Sequence, residues 1–323
     1  MAAAAAPFAF RILGDCTNRR RLVMAAGAFV AYCRCDERAE VHSESFLSAF
    51  RFADDFRAHL ESTGSTKGFQ GVTHSPYLWF DVDNETDPQA ALDDTRRLVG
   101  MILSRYTSYD EDGILYFFSG KKGYHIGLPI AWDAPPSLDF HRVCRQLAEG
   151  LAALAKVQID NGIYDRVRAF RAPNSRHPKT GLHKRHLSYS ELTNLKLDAL
   201  RQLASTPEPF DVPTPPTSCG RAALDWQAAA ALVANEAKGK AARRAADGTP
   251  RLNRQTLGFI RDGADHGDRH RLLFSAAANL AEFGCPASLA HALLTEAALD
   301  SGLSPSDVKR QIECGLEKGS KHE

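Results

Sequence analysis

The sequence predicts a body of mixed helix and strand, α+β or α/β, followed by a small all-α module, and three observations carry that reading. Tyr77 to Val82 and Ile114 to Phe118 are short aromatic and β-branched runs of the kind that buried strands use. Between them, Pro88 to Tyr106 repeats apolar residues at helical spacing in Leu92, Leu98, Ile102 and Leu103. From Asn253 onward only the helical period remains. It runs through Leu272, Leu273, Ala276, Ala277 and Leu280, then Leu289, Leu293 and Leu294, then Val308, Ile312 and Leu316. Three helices are predicted there, separated at Gly284-Cys285-Pro286 and Ser301-Gly302-Leu303-Ser304. No internal repeat is present.

Two joints divide the chain. Ser205 to Thr217 holds Pro207, Pro209, Pro213, Pro215 and Pro216, which cannot continue a helix or fill a central strand because proline lacks the amide donor. Ala237 to Pro250 mixes alanine with Lys238, Lys240, Arg243 and Arg244 and ends in the turn signal Asp247-Gly248-Thr249-Pro250. The expected organisation is a first domain over 1–211, a linker with a connecting helix over 212–251, and a helical domain over 252–323. At 323 residues both domains have room for a core of their own.

Composition narrows the class. With 44% hydrophobic and 24% charged residues the chain reads as an ordinary soluble globular protein. The formal net charge of +1 hides a basic block. Arg166, Arg168, Arg171, Arg176, Lys179, Lys184 and Arg185 follow one another against Asp165 alone, the distribution expected where phosphates are met. The seven cysteines are odd in number and scattered, which argues against a disulfide framework. Neither a signal-peptide pattern nor an apolar run of roughly 18 residues appears, so a soluble cytoplasmic protein without membrane association is expected.

Three segments carry chemistry. In Tyr77-Leu-Trp-Phe-Asp81-Val-Asp83 an apolar strand ends in two carboxylates one residue apart. Side chains alternate along a strand, so both project from one face and together can hold a divalent cation through oxygen ligands. By itself the pair fits a solvated strand end equally well. Next comes Ser119-Gly-Lys-Lys-Gly-Tyr-His125. Its glycines allow a tight turn, Lys121 and Lys122 bring charge, and Ser119 and His125 offer hydrogen bonds to phosphate oxygens. The third segment sets Asp160 after a short apolar run and ahead of the basic block. There Arg171, His177 and Lys179 suit phosphates or a template backbone.

In order and content these segments resemble the archaeo-eukaryotic primase superfamily. Asp81-Val82-Asp83 is similar to its acidic pair, Ser119 to His125 to its S-x-H-type loop, and Ile159-Asp160 to its hydrophobic residue followed by aspartate. Phe170 to Gly181 looks like the H-P-K-T-G-containing tail of small-subunit primases. Thr256 onward is similar to the helical C-terminal domain of primases of phages, plasmids and integrated elements. The resemblance implies an α+β core of RRM-like mixed sheets with flanking helices, and two Mg²⁺ or Mn²⁺ ions on Asp81, Asp83 and Asp160, with Asp165 as the fallback for the third carboxylate. It gives Ser119, Lys121, Lys122, His125, Arg171, His177 and Lys179 nucleotide-binding roles. Arg166 and Arg168, with Arg269 and Arg271 of the C-terminal module, are candidates for the template or initiation.

The implied activity is a DNA-dependent primase-polymerase. It would make short primers on single-stranded DNA from NTPs or dNTPs and extend them by two-metal nucleotidyl transfer, in the replication of a mobile element, with a replicative helicase as a possible partner. The rival is a repair or gap-filling polymerase of the same superfamily that does not start strands. Tyr124 or Tyr164 is a candidate to lie near the sugar 2′ position. No zinc site is expected, because Cys33-x-Cys35 with a distant His42 lacks paired C-x-x-C spacing.

Overall fold

In the computed structural model, which describes residues 6–14, 20–84, 86–246, 252–265 and 267–319, the apolar run at Tyr77 becomes the strand that organises the first of two units. The units are Met1–Glu236 and Ala237–Glu323. The first holds strands β1 (Phe8–Leu13), β2 (Arg21–Met24), β3 (Ser45–Ser48), β4 (Arg51–Phe52), β5 (Thr73–His74), β6 (Tyr77–Asp83), β7 (Leu115–Phe118), β8 (Gly123–Pro129), β9 (Ala169–Arg171) and β10 (Arg185–Leu187). Its helices are α1 (Ala25–Cys33), α2 (Asp54–Thr63), α3 (Pro88–Arg105), α4 (Phe140–Ala155), α5 (Tyr189–Asn194), α6 (Leu197–Leu203) and most of α7 (Gly220–Ala246). The fold is α+β, as the resemblance implies: the strands form two antiparallel sheets, ordered β5-β4-β1-β3-β9 with β2 beside β1, and β10-β7-β8-β6.

Alternation along β6 decides which residues meet. Leu78, Phe80 and Val82 are buried on the side against which α3 and α4 pack. Burial of each stabilises the fold by about 1.5–3 kcal/mol. Tyr77, Trp79, Asp81 and Asp83 project from the other side, where Trp79 lies 5.4 Å from the ring of Phe170 on β9 of the other sheet. The strand β6 is an edge of its sheet, and an edge presents unpaired carbonyls. Here they are covered: the Asp160 amide donates to the Asp81 carbonyl at 2.9 Å, and the Tyr164 hydroxyl donates to that of Trp79 at 2.6 Å. The same contacts bring the third predicted carboxylate beside the first two.

Several elements depart from the sequence expectation. The first unit extends through the first half of α7, because Ala222, Trp226, Ala229 and Val233 are buried against it and Asp225 makes a two-pronged ion pair with Arg105. That stretch belongs to the expected 212–251 linker; the turn expected at 247–250 lies outside the described residues. Besides the end of α7, the second unit has four helices among the described residues, α8 (Arg254–Asp262), α9 (Arg269–Ala281), α10 (Ala287–Asp300) and α11 (Pro305–Gly319), around a core of its own. The added one, α8, starts at an Asn253 cap that accepts from the Thr256 amide. It buries only Thr256 and Phe259, too little to produce a readable apolar period.

Tyr164→Phe is expected to lower stability by about 1–3 kcal/mol, since the buried Trp79 carbonyl loses its donor. The reading is the urea midpoint at unchanged slope, and an unshifted midpoint would show that this bond does not hold the β6 edge.

Candidate active site

Register builds the site. Across β6 and β8, Asp81 is paired with His125 and Asp83 with Gly123, so the acidic pair and the loop histidine share one face at neighbouring positions. Gly123 permits that approach: a Cβ there would lie 2.6 Å from the Asp83 Cβ. Gly120 has φ +87, in the left-handed region that a side chain disfavours, and it turns the chain between β7 and β8. Ser119 closes the hairpin, its hydroxyl accepting from the Gly123 amide at 3.2 Å. Thr180 donates to the Gly120 carbonyl at 2.6 Å and fastens the His-Pro-Lys-Thr-Gly segment onto the turn.

The result is one open cleft. Asp81, Asp83, Ser119, Lys121, Lys122, His125, Arg168, Arg171 and His177 line it together with Phe46, Ile163, Ala169 and Phe170. Lys122 pairs with Asp83 at 2.9 Å and Arg171 with Glu44 at 2.9 Å. The Arg171 guanidinium also lies 5.0 Å from the ring of Phe46. The Nδ1 of His177 accepts from the Lys179 amide at 3.2 Å, which leaves the proton of a neutral ring on Nε2. Burial, then the Arg171 charge, push the His177 pKa down.

Asp160 sits beside the cleft, where its Oδ1 accepts from the Gly162 amide at 2.8 Å and its Oδ2 lies 3.9 Å from Arg168. Asp160 and Asp83 are the carboxylates whose charges act on Asp81; Asp165 is exposed, and its amide and carbonyl serve the turn that leads to Arg168. The other candidates are placed differently. Lys179 does not line the cleft, although its charge reaches His177. Arg166 is turned to the carbonyls of Gln70 and Gly71. In the second unit, Arg269 donates to the carbonyls of Ser301 and Gly302 at the end of α10, and Arg271 pairs with Asp268 at 3.0 Å. Tyr124 is buried with its ring against Phe118, and Tyr164 is spent on the β6 edge, so neither ring lines the cleft.

Lys184, a member of the basic block with no role in the sequence reading, is the residue that pattern alone misses. It is 1% exposed. Its ammonium donates to the Arg171 carbonyl at 2.8 Å and lies 4.3 Å from the Phe170 ring, 4.6 Å from Phe117 and 5.4 Å from Trp79. A lysine amid surface arginines reads as one more solvated charge, and the aromatic residues that enclose it are far away in sequence.

Burial sets the electrostatics. Desolvation, then the Asp83 and Asp160 charges, push the Asp81 carboxyl up to about 7, with Lys184 and Lys122 acting against the rise. Desolvation pulls the Lys184 ammonium down to about 7, against the attraction of Asp81. His125 Nε2 lies 3.5 Å from Asp81, yet the contact is no ion pair. The ring is buried and stacked on Phe170 at 4.3 Å, and desolvation and the Lys184 charge hold it neutral. Among the described residues its Nδ1 has no hydrogen-bond partner.

Carboxylates whose burial and mutual repulsion raise a pKa are a donor set that a hard divalent cation relieves. As the side chains stand, each leans on a different partner, and no three metal-ligating groups converge among the described residues. The fit to a cation therefore rests on Asp81 and Asp83 sharing a face with Asp160 at the strand edge, where Asp83 is held by Lys122 and Asp160 by the Gly162 amide.

No family model matches the chain, and no curated protein matches it. Among solved structures it is similar to one described as "Crystal structure of primase RepB'", with 15% sequence identity and a TM-score of 0.35, covering 96% of this chain and 89% of that one. A likeness this slight carries neither the fold nor the function, which rest on the residues above. Among the described residues no helix is long and apolar enough to cross a membrane.

The two shifted groups make opposite contributions to stability. Asp81 ionises near pH 7 in the native state against 3.8 ordinarily, so between those values the native state binds the extra proton and stability falls as pH rises. Lys184 loses its proton near 7 natively against 10.5 ordinarily, so from 7 upward the unfolded state binds more protons and stability recovers. In metal-free buffer with a chelator, the thermal midpoint of Asp81→Asn is expected to gain on the wild type steadily from pH 4 to 7. Parallel curves over that window would contradict the buried-carboxylate account.

Proposed function

We propose that the chain is a metal-dependent nucleotidyltransferase of the primase-polymerase type, acting on single-stranded DNA with NTPs or dNTPs. The observation that carries the reading is a single cleft that brings the Asp81/Asp83 pair, with Asp160 beside it, together with groups suited to phosphate: Lys121, Lys122, Arg171 and the Nε2–H of His177. Acids and donors gathered in one cleft suit a nucleoside triphosphate bound with a divalent cation.

A Mg²⁺ or Mn²⁺ held by Asp81, Asp83 and Asp160 would supply charge neutralisation at the phosphorus under attack. The chain's own residues do the rest. Lys121, Lys122 and Arg171 offset the charge of the terminal phosphates, and His177 donates one hydrogen bond there. The Ser119–Gly123 hairpin, anchored by Thr180, holds these groups in place before substrate arrives, so little reorganisation accompanies the reaction. Neutral His125, stacked on Phe170, keeps Asp81 in register rather than neutralising it. The exposed Arg168 next to Asp160 suits a template phosphate. Initiation assisted by the helical C-terminal module belongs to the same proposal, with Arg271, whose side chain is exposed, the freer of its two candidate arginines Arg269 and Arg271.

Incubated with single-stranded DNA, labelled nucleotides and Mn²⁺ but no primer, the full chain is expected to make short products. Asp81→Ala/Asp83→Ala should reduce them by roughly 100-fold or more. Synthesis only on a supplied primer would turn the assignment to the gap-filling polymerase, and none in either format would overturn the nucleotidyltransferase reading.

A further inference from the structure

Behind the cleft, along the same face of β6, lies a second cavity of about 50 Å³ that the reading above does not use. Arg51, Tyr77, Trp79, Phe29, Phe170 and Lys184 are among the residues that line it, and among the described residues no carboxylate does. Phe170 and Arg171 are common to cleft and cavity, so the Phe170 ring stands between them.

Three features of this seam are chemically unusual together. Arg51 on β4 is half-buried, burial lowers its pKa, and among the described residues its guanidinium makes no hydrogen bond or ion pair. Lys184 is fully buried, with one of its three N–H donors spent on the Arg171 carbonyl. The phenol of Tyr77 is held protonated, pushed up to about 12 by burial, and therefore serves as a neutral donor beside Arg51. Arg171, which also lines the cavity, is paired with Glu44 at 2.9 Å, and the Asp81 charge acts on Lys184 from outside the lining. Arg51, Arg171, Lys184 and the Tyr77 hydroxyl, set among aromatic rings with no carboxylate of the described residues lining the space, form a donor-rich pocket in which charge interactions are stronger than in water. The cavity spans only a few water-sized positions, which suits a small tetrahedral oxyanion and excludes a nucleoside.

We propose that this cavity is a second binding site, distinct from the cleft, for a single phosphate group held by Arg51, Lys184 and the Tyr77 hydroxyl. The phosphate is either free in solution or part of a bound strand, and the site stands whatever chemistry the cleft performs.

Trp79 reports on it directly. The chain has three tryptophans, and Trp132→Phe/Trp226→Phe leaves Trp79, whose ring lines the cavity. At constant ionic strength, titration of the full chain with inorganic phosphate is expected to change Trp79 emission saturably, with chloride giving no response. Arg51→Gln should weaken the apparent affinity about tenfold or more. Tyr77→Phe, which keeps the ring and removes one donor, should weaken it a few-fold and keeps the test available if Arg51→Gln does not fold. A parallel titration with an oligothymidylate lacking terminal phosphates identifies the source. An Arg51-dependent response to the strand alone assigns a phosphodiester, and one to inorganic phosphate assigns the free ion. Either supports the site. No saturable response to either probe, or a response that survives Arg51→Gln and Tyr77→Phe but is lost in Lys121→Ala/Lys122→Ala, would overturn it.

Discussion

The antiparallel register of β6 against β8 is the constraint on which the rest of the first unit depends. With Asp81 opposite His125, all the acids of β6 point away from α3 and α4 while Leu78, Phe80 and Val82 point toward them. A slip of one residue would exchange the two sets, placing carboxylates in the helix-packed core and apolar side chains in the cleft. Burial of the apolar set thus fixes the chemistry of the opposite face. Closure of the free β6 edge by the Asp160 amide and the Tyr164 hydroxyl finishes the job, because the segment that satisfies the edge also delivers a third carboxylate.

That arrangement is electrostatically tense. Three acids near one strand end, one of them 17% exposed, would repel strongly in a low-dielectric site. The fold answers with positive charge from two directions. Lys122 reaches Asp83 from the hairpin, and Lys184 acts on Asp81 by its charge from an aromatic enclosure, where ring faces partly replace the water that its ammonium has lost. Burial of His125 acts in the opposite sense. It keeps the imidazole neutral, so the negative potential at the open side of the cleft stays available to a cation.

Phe170 ties these parts together. Its ring stacks on His125, covers the Lys184 ammonium and meets Trp79, and it is a wall of both the cleft and the cavity behind it. A ligand seated behind Phe170 would touch the ring that packs on His125, and Lys184 holds the carbonyl of the arginine that faces the cleft.

The sequence by itself determined the residues whose signal is local. A strand run ending in Asp81-Val82-Asp83, a Ser119–His125 turn with two glycines, and the helical period of α3 and of the C-terminal module are all written in contiguous residues. The six-stranded sheet was not legible, since its strands span two to six residues and their partners lie far apart in the chain. Nor was α8, which buries too little to show a period. Tertiary structure alone decided which members of the basic block meet the acids. Arg168, Arg171 and His177 line the cleft, Arg166 binds loop carbonyls, and Lys184 goes inside. A charged residue's fate depends on what surrounds it, and Lys184 is enclosed by Trp79, Phe117 and Phe170, rings that only the packing of two sheets brings to one place.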